Sequence, residues 1–312
     1  MSRIIFVPQY PTPNRYQEWW FWKLPEEFRR AGFEVIVLGE NYADMMSRHR
    51  GKFDQFAPIR MAIEFETRQI SEYTTIKINP DDILFLADIS FPGIFCSALY
   101  HYQTPRMFAF CHATSINTFD YFWVNADSKF PIETAHSSLF EKVFVGSHYH
   151  KDKLQWPNTE VTYLPFPPIQ TFQKETRIYD IVSASRPTPQ KVDSDLEAKV
   201  EKEFGEIIRK ETNSWEEYYK FLAQSKVLLI TAHEDTFGYQ IVDAILNGCI
   251  PIARNSLAYP ELLAREYLYN NREELFDLLE KALWGLMPLP RIKCKKEMNN
   301  FYSNIIKTMK GE

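Results

Sequence analysis

The run His233-Glu-Asp-Thr-Phe-Gly-Tyr-Gln-Ile-Val-Asp243-Ala-Ile-Leu-Asn-Gly248 decides how this chain of 312 residues is read. It follows an apolar strand pattern, Val227 to Thr231, and passes through a turn into an apolar helix that stops at Gly248. A strand end feeding a helix N-terminus is where an open α/β sheet binds anionic ligands, because unpaired N–H groups and the helix dipole meet there. The carboxylates of Asp235 and Asp243 would repel phosphate itself. They suit the hydroxyls of a sugar or ribose, for which a carboxylate is a strong acceptor. Glu234 offers a second register for the first acidic position.

Upstream, Asp180-Ile-Val-Ser-Ala-Ser-Arg186-Pro-Thr-Pro-Gln-Lys191 reads as a short strand whose end delivers two cations. Arg supplies a planar fork and Lys a point charge, which together suit a diphosphate. The two segments imply a nucleotide-sugar site, with phosphates on Arg186 and Lys191 and hydroxyls on Asp235 and Asp243.

Working outward, the chain is long enough for two domains. Short apolar runs alternate with helical patterns from the start. Arg3-Ile-Ile-Phe-Val7 is a buried-type strand, Glu18 to Ala31 is helical with Gly32 as its stop, and Glu34-Val-Ile-Val-Leu38 is the next strand. One βαβ unit implies a parallel sheet. Further strands are expected at Ile83–Leu86, Arg106–Phe110, Lys142–Val145 and Val161–Leu164, with a helix at Ile94–His101. Pro165-Phe-Pro-Pro168 punctuates the pattern, which then restarts at Ile178–Val182. Helices are expected over Leu196–Lys210, Trp215–Gln224, Tyr239–Asn247, Glu273–Trp284 and Lys295–Met309. The expected division is a Rossmann-like domain at 1–168, a nucleotide-sugar-binding Rossmann-like domain at 169–290, and a C-terminal helix at 291–312 crossing back to the first.

Composition excludes several classes. The formal net charge of −5 argues against a generally basic nucleic-acid binder. The basic clusters Arg48–Lys52, His148–Lys153 and Arg291–Lys296 read mostly as solvated faces. Cys96, Cys111, Cys249 and Cys294 lack metal-type spacing, and three lie in apolar runs as expected for reduced core thiols. No run approaches a membrane span, and Met1-Ser-Arg3 leads straight into a strand without a signal-peptide pattern. A cytoplasmic enzyme without metal is expected.

These motifs resemble those of the retaining GT-B glycosyltransferases of family four. Ser185-Arg186-x4-Lys191-Val192 keeps both cations of that family's Gly-Arg-x4-Lys-Gly but neither glycine. Asp235-x7-Asp243, with Phe237-Gly238 in register, is similar to its Glu-x7-Glu. Gly248-Cys-Ile-Pro-Ile-Ala and Ser256-Leu-Ala-Tyr-Pro-Glu261 resemble its next strand entry and the loop ending in Pro-Glu. The strong match spans roughly residues 181–263. Phe110-Cys-His112 places a histidine where the family keeps one facing the donor sugar. Departures are the two Asp residues, one methylene shorter than Glu, the sequence Pro11–Tyr16 in place of a Gly-Gly loop, and an apparent deletion after Lys191.

The resemblance implies a GT-B fold, two Rossmann-like domains facing a cleft, here with a shortened C-terminal donor domain. It implies retaining transfer from a nucleotide-diphosphate sugar, with no cofactor beyond that donor. Arg186, Lys191 and His112 would be catalytic. Asp235 or Glu234, Phe237, Gly238, Asp243 and Glu261 would hold the donor. The leaving diphosphate would be stabilised by Arg186 and Lys191 as its charge develops.

An aromatic excess in the first half, Tyr16, Trp19, Trp20, Phe21 and Trp22, then Phe119, Tyr121, Phe122 and Trp123, marks the acceptor side. Successive helix positions point about 100° apart, so these tryptophans cannot all face one core. Tyr16, Trp19 and Trp20 are the acceptor-side candidates. Aromatic rings stack on sugar faces and on extruded bases. The acceptor is therefore expected to be a saccharide or small-molecule hydroxyl, or a 5-hydroxymethylpyrimidine in DNA of the phage type. A non-catalytic nucleotide-sugar binder and an epimerase remain as alternatives.

Overall fold

The computed structural model describes residues 3–12, 16–42, 57–90, 105–120, 123–172 and 175–312. The basic cluster Arg48–Lys52, the helix expected at Ile94–His101, Cys96, Tyr121 and Phe122 lie outside the described residues.

Six strands form the first sheet: β1 (Arg3–Val7), β2 (Glu34–Val37), β3 (Ile83–Leu86), β4 (Arg106–Cys111), β5 (Lys142–Val145) and β6 (Thr159–Val161). Their order is β2-β1-β3-β4-β5-β6, all parallel. Ile4, Ile5, Phe6, Leu84, Phe85 and Phe144 are fully buried. Continuous apolar strands of this kind need helices on both faces. Helices α1 (Tyr16–Arg30), α2 (Ala57–Tyr73), α3 (Ala126–Ser137) and α4 (His148–Leu154) belong to this half. Trp20, Leu24 and Phe28 recur at helical spacing on α1 and bury its inner face. The extended run expected to reach Leu164 stops at Val161, because Tyr163 turns into the left-handed region at φ 58°.

The second sheet holds β7 (Tyr179–Val182), β8 (Ile207–Ile208), β9 (Ser225–Ile230), β10 (Ile250–Arg254) and β11 (Leu268–Tyr269), in the order β11-β10-β9-β7-β8. Its helices are α5 (Ser194–Phe204), α6 (Trp215–Ala223), α7 (Tyr239–Leu246), α8 (Tyr259–Leu262) and α9 (Arg272–Leu283). The helix expected over Leu196–Lys210 is shorter. Gly205, at φ 92°, ends it, and Ile207–Ile208 pairs with β7 as an edge strand. The Pro165–Pro168 stretch falls between the last strand of one sheet and the first of the other.

Two helices, α10 (Lys295–Asn299) and α11 (Phe301–Lys310), replace the single helix expected at the C-terminus. Asn300 divides them. Its N–H closes back on Lys296 and Glu297, while its carbonyl accepts from Asn304. α11 returns to the first sheet's half. Phe301 packs on Trp20 and Phe110, the Arg106 guanidinium donates to the Met309 carbonyl, and Thr308 donates to Glu160.

Each sheet reverses strand order once, between β1 and β3 in the first and between β7 and β9 in the second. Such switch points open crevices at the carboxyl ends of the strands. The loops leaving those ends meet each other. Thr236, after β9, donates to the His112 carbonyl after β4 at 2.9 Å, and Ser147, after β5, donates to the Thr236 carbonyl at 2.6 Å.

Candidate functional site

The second domain's switch point gathers the motif residues. The loop after β7 turns at Thr188, whose carbonyl accepts from Lys191 and Val192 N–H. The Gln190 carbonyl then accepts from His233 and Glu234 N–H at 2.9 and 3.2 Å, pinning this loop to the one after β9. The Lys191 ammonium lies 3.1 Å from the Glu234 carbonyl and 3.3 Å from Asp235 Oδ2. Arg186 stands exposed on the same loop.

Beside this pair begins α7. Gly238 precedes it at φ 98°, and a Cβ there would come 2.9 Å from the Tyr259 ring. Phe237-Gly238 is thus a steric requirement: Phe237 is buried against Tyr239, and only glycine fits the next position. The α7 N-terminus has no side-chain cap and no acidic residue in its first turn. Ile241 N–H closes back on the Gly238 carbonyl at 2.9 Å, and the dipole of this N-terminus favours an anion.

The two acids of the motif have different surroundings. Asp235 accepts from Tyr259 Oη at 3.3 Å and from Phe237 N–H at 3.4 Å, facing Lys191. Asp243 is 4% exposed and accepts from Tyr218 and Tyr219 hydroxyls at 3.2 and 3.0 Å. Burial pushes its carboxyl up to about 7, against the lowering effect of both tyrosines.

Glu234 turns the other way. Its side chain is buried and bound by first-domain groups: Asn117 Nδ2 and Thr118 N–H at 3.3 Å, Tyr149 Oη at 3.1 Å, and the ammonium of Lys153. Glu261 also crosses between domains, accepting from His148 and Tyr149 N–H at 2.9 and 2.8 Å. A carboxylate at the start of α4 satisfies orphan donors there and favours the dipole.

On the first-domain side, His112 follows β4 and packs between the rings of Tyr16, Trp20 and Phe110 at 4.6–4.8 Å between centroids. Its Nε2 is 3.2 Å from the Ala87 carbonyl, so that nitrogen carries the proton. Burial, with a smaller push from His150, lowers its pKa to about 3, and the ring is neutral. Trp19 and Trp20 are 7% and 2% exposed and pack between the domains, with Trp19 against Tyr239. Tyr16 stacks on Tyr239 at 6.3 Å, while Trp22 points outward. Farther along the cleft rim, Phe119 and Trp123 are 46% and 41% exposed, with rings 5.0 Å apart.

The basic cluster His148–Lys153 reads in sequence as a solvated face, but the structure turns Tyr149 and Lys153 onto Glu234; no local signal marks this, because Glu234 lies more than 80 residues away in the chain. No metal-type grouping of His, Cys, Asp and Glu occurs among the described residues. Cys111, Cys249 and Cys294 are buried free thiols. No helix among the described residues is long and apolar enough to cross a membrane.

No family model matches the chain. Over 89 residues it is 36% identical to the tRNA-queuosine alpha-mannosyltransferase of Drosophila melanogaster; that stretch covers 28% of this chain and 22% of the relative. The chain therefore aligns with only about a fifth of that relative's length. Among solved structures it is similar to the lipopolysaccharide outer core galactosyltransferase WaaB, with a TM-score of 0.61 at 12% identity, covering 100% of this chain and 98% of that one. A trehalose-6-phosphate synthase structure gives the same TM-score and identity, with coverage of 100% and 99%. At that identity the likeness defines the fold, which is GT-B: two Rossmann-like halves whose strand ends face one cleft.

Proposed function

We infer that this chain is a retaining glycosyltransferase that moves a sugar from a nucleotide-diphosphate donor to a hydroxyl on a modified nucleoside. The observation that carries the reading is the meeting of Lys191 with Asp235 at 3.3 Å, at the switch point and beside the uncapped α7 N-terminus. A cation and helix N–H groups suit the leaving diphosphate, and the adjoining carboxylate suits a sugar hydroxyl. Arg186 extends the cationic side.

In this reading Lys191 and Arg186 stabilise negative charge as the glycosidic bond to phosphate breaks. Preorganised charge of this kind is often the largest catalytic contribution. The leaving phosphate takes the acceptor's proton, so no separate base is needed. Neutral His112, its Nε2–H held by the Ala87 carbonyl, can accept from a sugar hydroxyl through Nδ1 and adds no charge near the developing oxocarbenium ion. Asp243, held by two tyrosines, is the ribose contact.

The acceptor class rests on two supports. The partial relative is named for sugar transfer to a nucleoside in tRNA, and Phe119 and Trp123 present exposed rings at the cleft rim, where a base can stack. A 5-hydroxymethylpyrimidine in DNA is the corresponding DNA acceptor.

The test is a panel of labelled UDP- and GDP-sugars offered with bulk tRNA, with 5-hydroxymethylcytosine DNA and with simple saccharides. A sugar-mass gain on a nucleoside, α-linked from an α-donor, is the expected result. An inverted linkage would overturn retention, and gain on saccharides alone would overturn the nucleic-acid acceptor. Nucleotide binding without release from any donor would leave a binding protein.

A further inference from the structure

The first sheet has its own switch point, between β1 and β3, and the donor chemistry above leaves it unused. Gln9 leaves β1 there and Asp88 leaves β3. Gln9 Nε2 donates to Asp88 Oδ2 at 2.5 Å, and Ser90 N–H and Oγ donate to Oδ1 at 3.1 and 2.8 Å. Asp88 is 9% exposed. A cavity of about 20 Å³, lined in part by Pro8, Gln9, Tyr10 and Asp88, adjoins the pair. That is room for one water or one hydroxyl.

The pair is tied to the donor side. Ser90 Oγ, against Asp88, also lies 2.8 Å from the Ala113 carbonyl, and the neighbouring His112 carbonyl accepts from Thr236, the residue after Asp235. Asp88 also feels the charge of Asp120, which accepts from Gln190 beside Lys191. Each switch point of the molecule thus carries a carboxylate, Asp88 at the first and Asp235 at the second.

We propose that Gln9 and Asp88 form an acceptor subsite that binds a hydroxyl of the acceptor nucleoside. A carboxylate accepts from a hydroxyl, and the neighbouring amide N–H can donate to that hydroxyl's oxygen, so one hydroxyl is met as both donor and acceptor. The strongly held Oδ1 fixes the carboxyl plane, and Oδ2 exchanges the Gln9 amide for the ligand. Asp88 is a positioning residue: it orients the attacking hydroxyl, whose proton still leaves with the phosphate. This subsite rests on the glycosyltransferase reading.

Asp88→Asn and Gln9→Ala are compared with wild type in two assays: calorimetric binding of UDP and GDP, and transfer of labelled sugar to bulk tRNA and to 5-hydroxymethylcytosine DNA. The expected result is an acceptor kcat/KM lowered at least tenfold, chiefly through KM, with nucleotide affinity within twofold of wild type. Gln9→Ala, which leaves the carboxyl in place, guards against a folding defect in the Asp88 variant. Equal transfer by both variants and wild type would overturn the subsite while keeping the enzyme. Parallel loss of nucleotide binding in a folded variant would overturn it by moving Asp88 to the donor side. A wild-type protein that binds neither nucleotide would overturn the glycosyltransferase reading and the subsite with it.

Discussion

Lys153, on the last helix of the first domain, forms an ion pair with Glu234, which lies next to Asp235 in the second. The Glu234 side chain is 3% exposed and the Lys153 side chain 19%. One acid of the Glu234-Asp235 pair thus ties the domains together, while the other faces Lys191. Adjacent side chains in the loop after β9 serve opposite sides of the cleft.

Breaking that tie leaves a poorly solvated ammonium unpaired. Glu234→Ala is expected to destabilise the fold by about 3 kcal/mol, since removing one partner of a buried pair costs far more than the pair itself contributes. A double-mutant cycle with Lys153→Met, followed by urea unfolding, should show strong coupling. Additive losses would mean the two residues act independently.

Lys191→Ala removes the cation beside Asp235 and the expected diphosphate. Turnover should fall about 100-fold or more, the size of effect seen when one preorganised charge-stabilising group is lost. Circular dichroism should stay native, because this side chain sits in a loop. Unchanged kcat in a folded variant would sink the assignment.

Asp243 makes stability depend on pH. Burial raises its folded-state pKa from 3.8 to about 7. The folded protein then binds more protons than the unfolded chain between those values, so this contribution is complete below pH 4 and is lost as pH rises through 7. Asp243→Asn cannot titrate. Relative to wild type it should gain stability between pH 4 and pH 8, by at most about 4 kcal/mol. A gap between the two proteins that stays flat with pH would show that Asp243 ionises normally.

Phe119 sits in the left-handed region at φ 60° while 46% exposed. A bulky side chain there costs about 1 kcal/mol or more, and such strain collects at functional positions. Phe119→Asn is expected to raise Tm slightly and to weaken acceptor binding. A variant that loses stability, with acceptor affinity intact, would make Phe119 a packing residue.

Much of the fold was legible. β1, β3 and β5 lie at the expected residues, since short apolar runs bounded by turns have few alternatives. The errors came where one residue's backbone angle overrode the pattern: Gly205 cut α5 short and let Ile207–Ile208 pair with β7, Tyr163 stopped β6, and Asn300 split the last helix. In the candidate site, Arg186, Lys191 and Asp235 could be singled out because strand-end chemistry is local, and the structure brings Lys191 within 3.3 Å of Asp235; Asp243 lies inside α7, held by Tyr218 and Tyr219.

By itself the sequence determined two parallel-sheet halves and the residue types at the second switch point, because periodicity and strand-end chemistry are local properties of the chain. Tertiary structure alone decided which acid of Glu234-Asp235 faces Lys191, that Glu261 caps α4 across the domains, that Trp19 and Trp20 pack between the domains, and that Gln9 meets Asp88. Each of these is a contact between residues far apart in sequence. Its partner is chosen by how two sheets face each other, which no local pattern encodes.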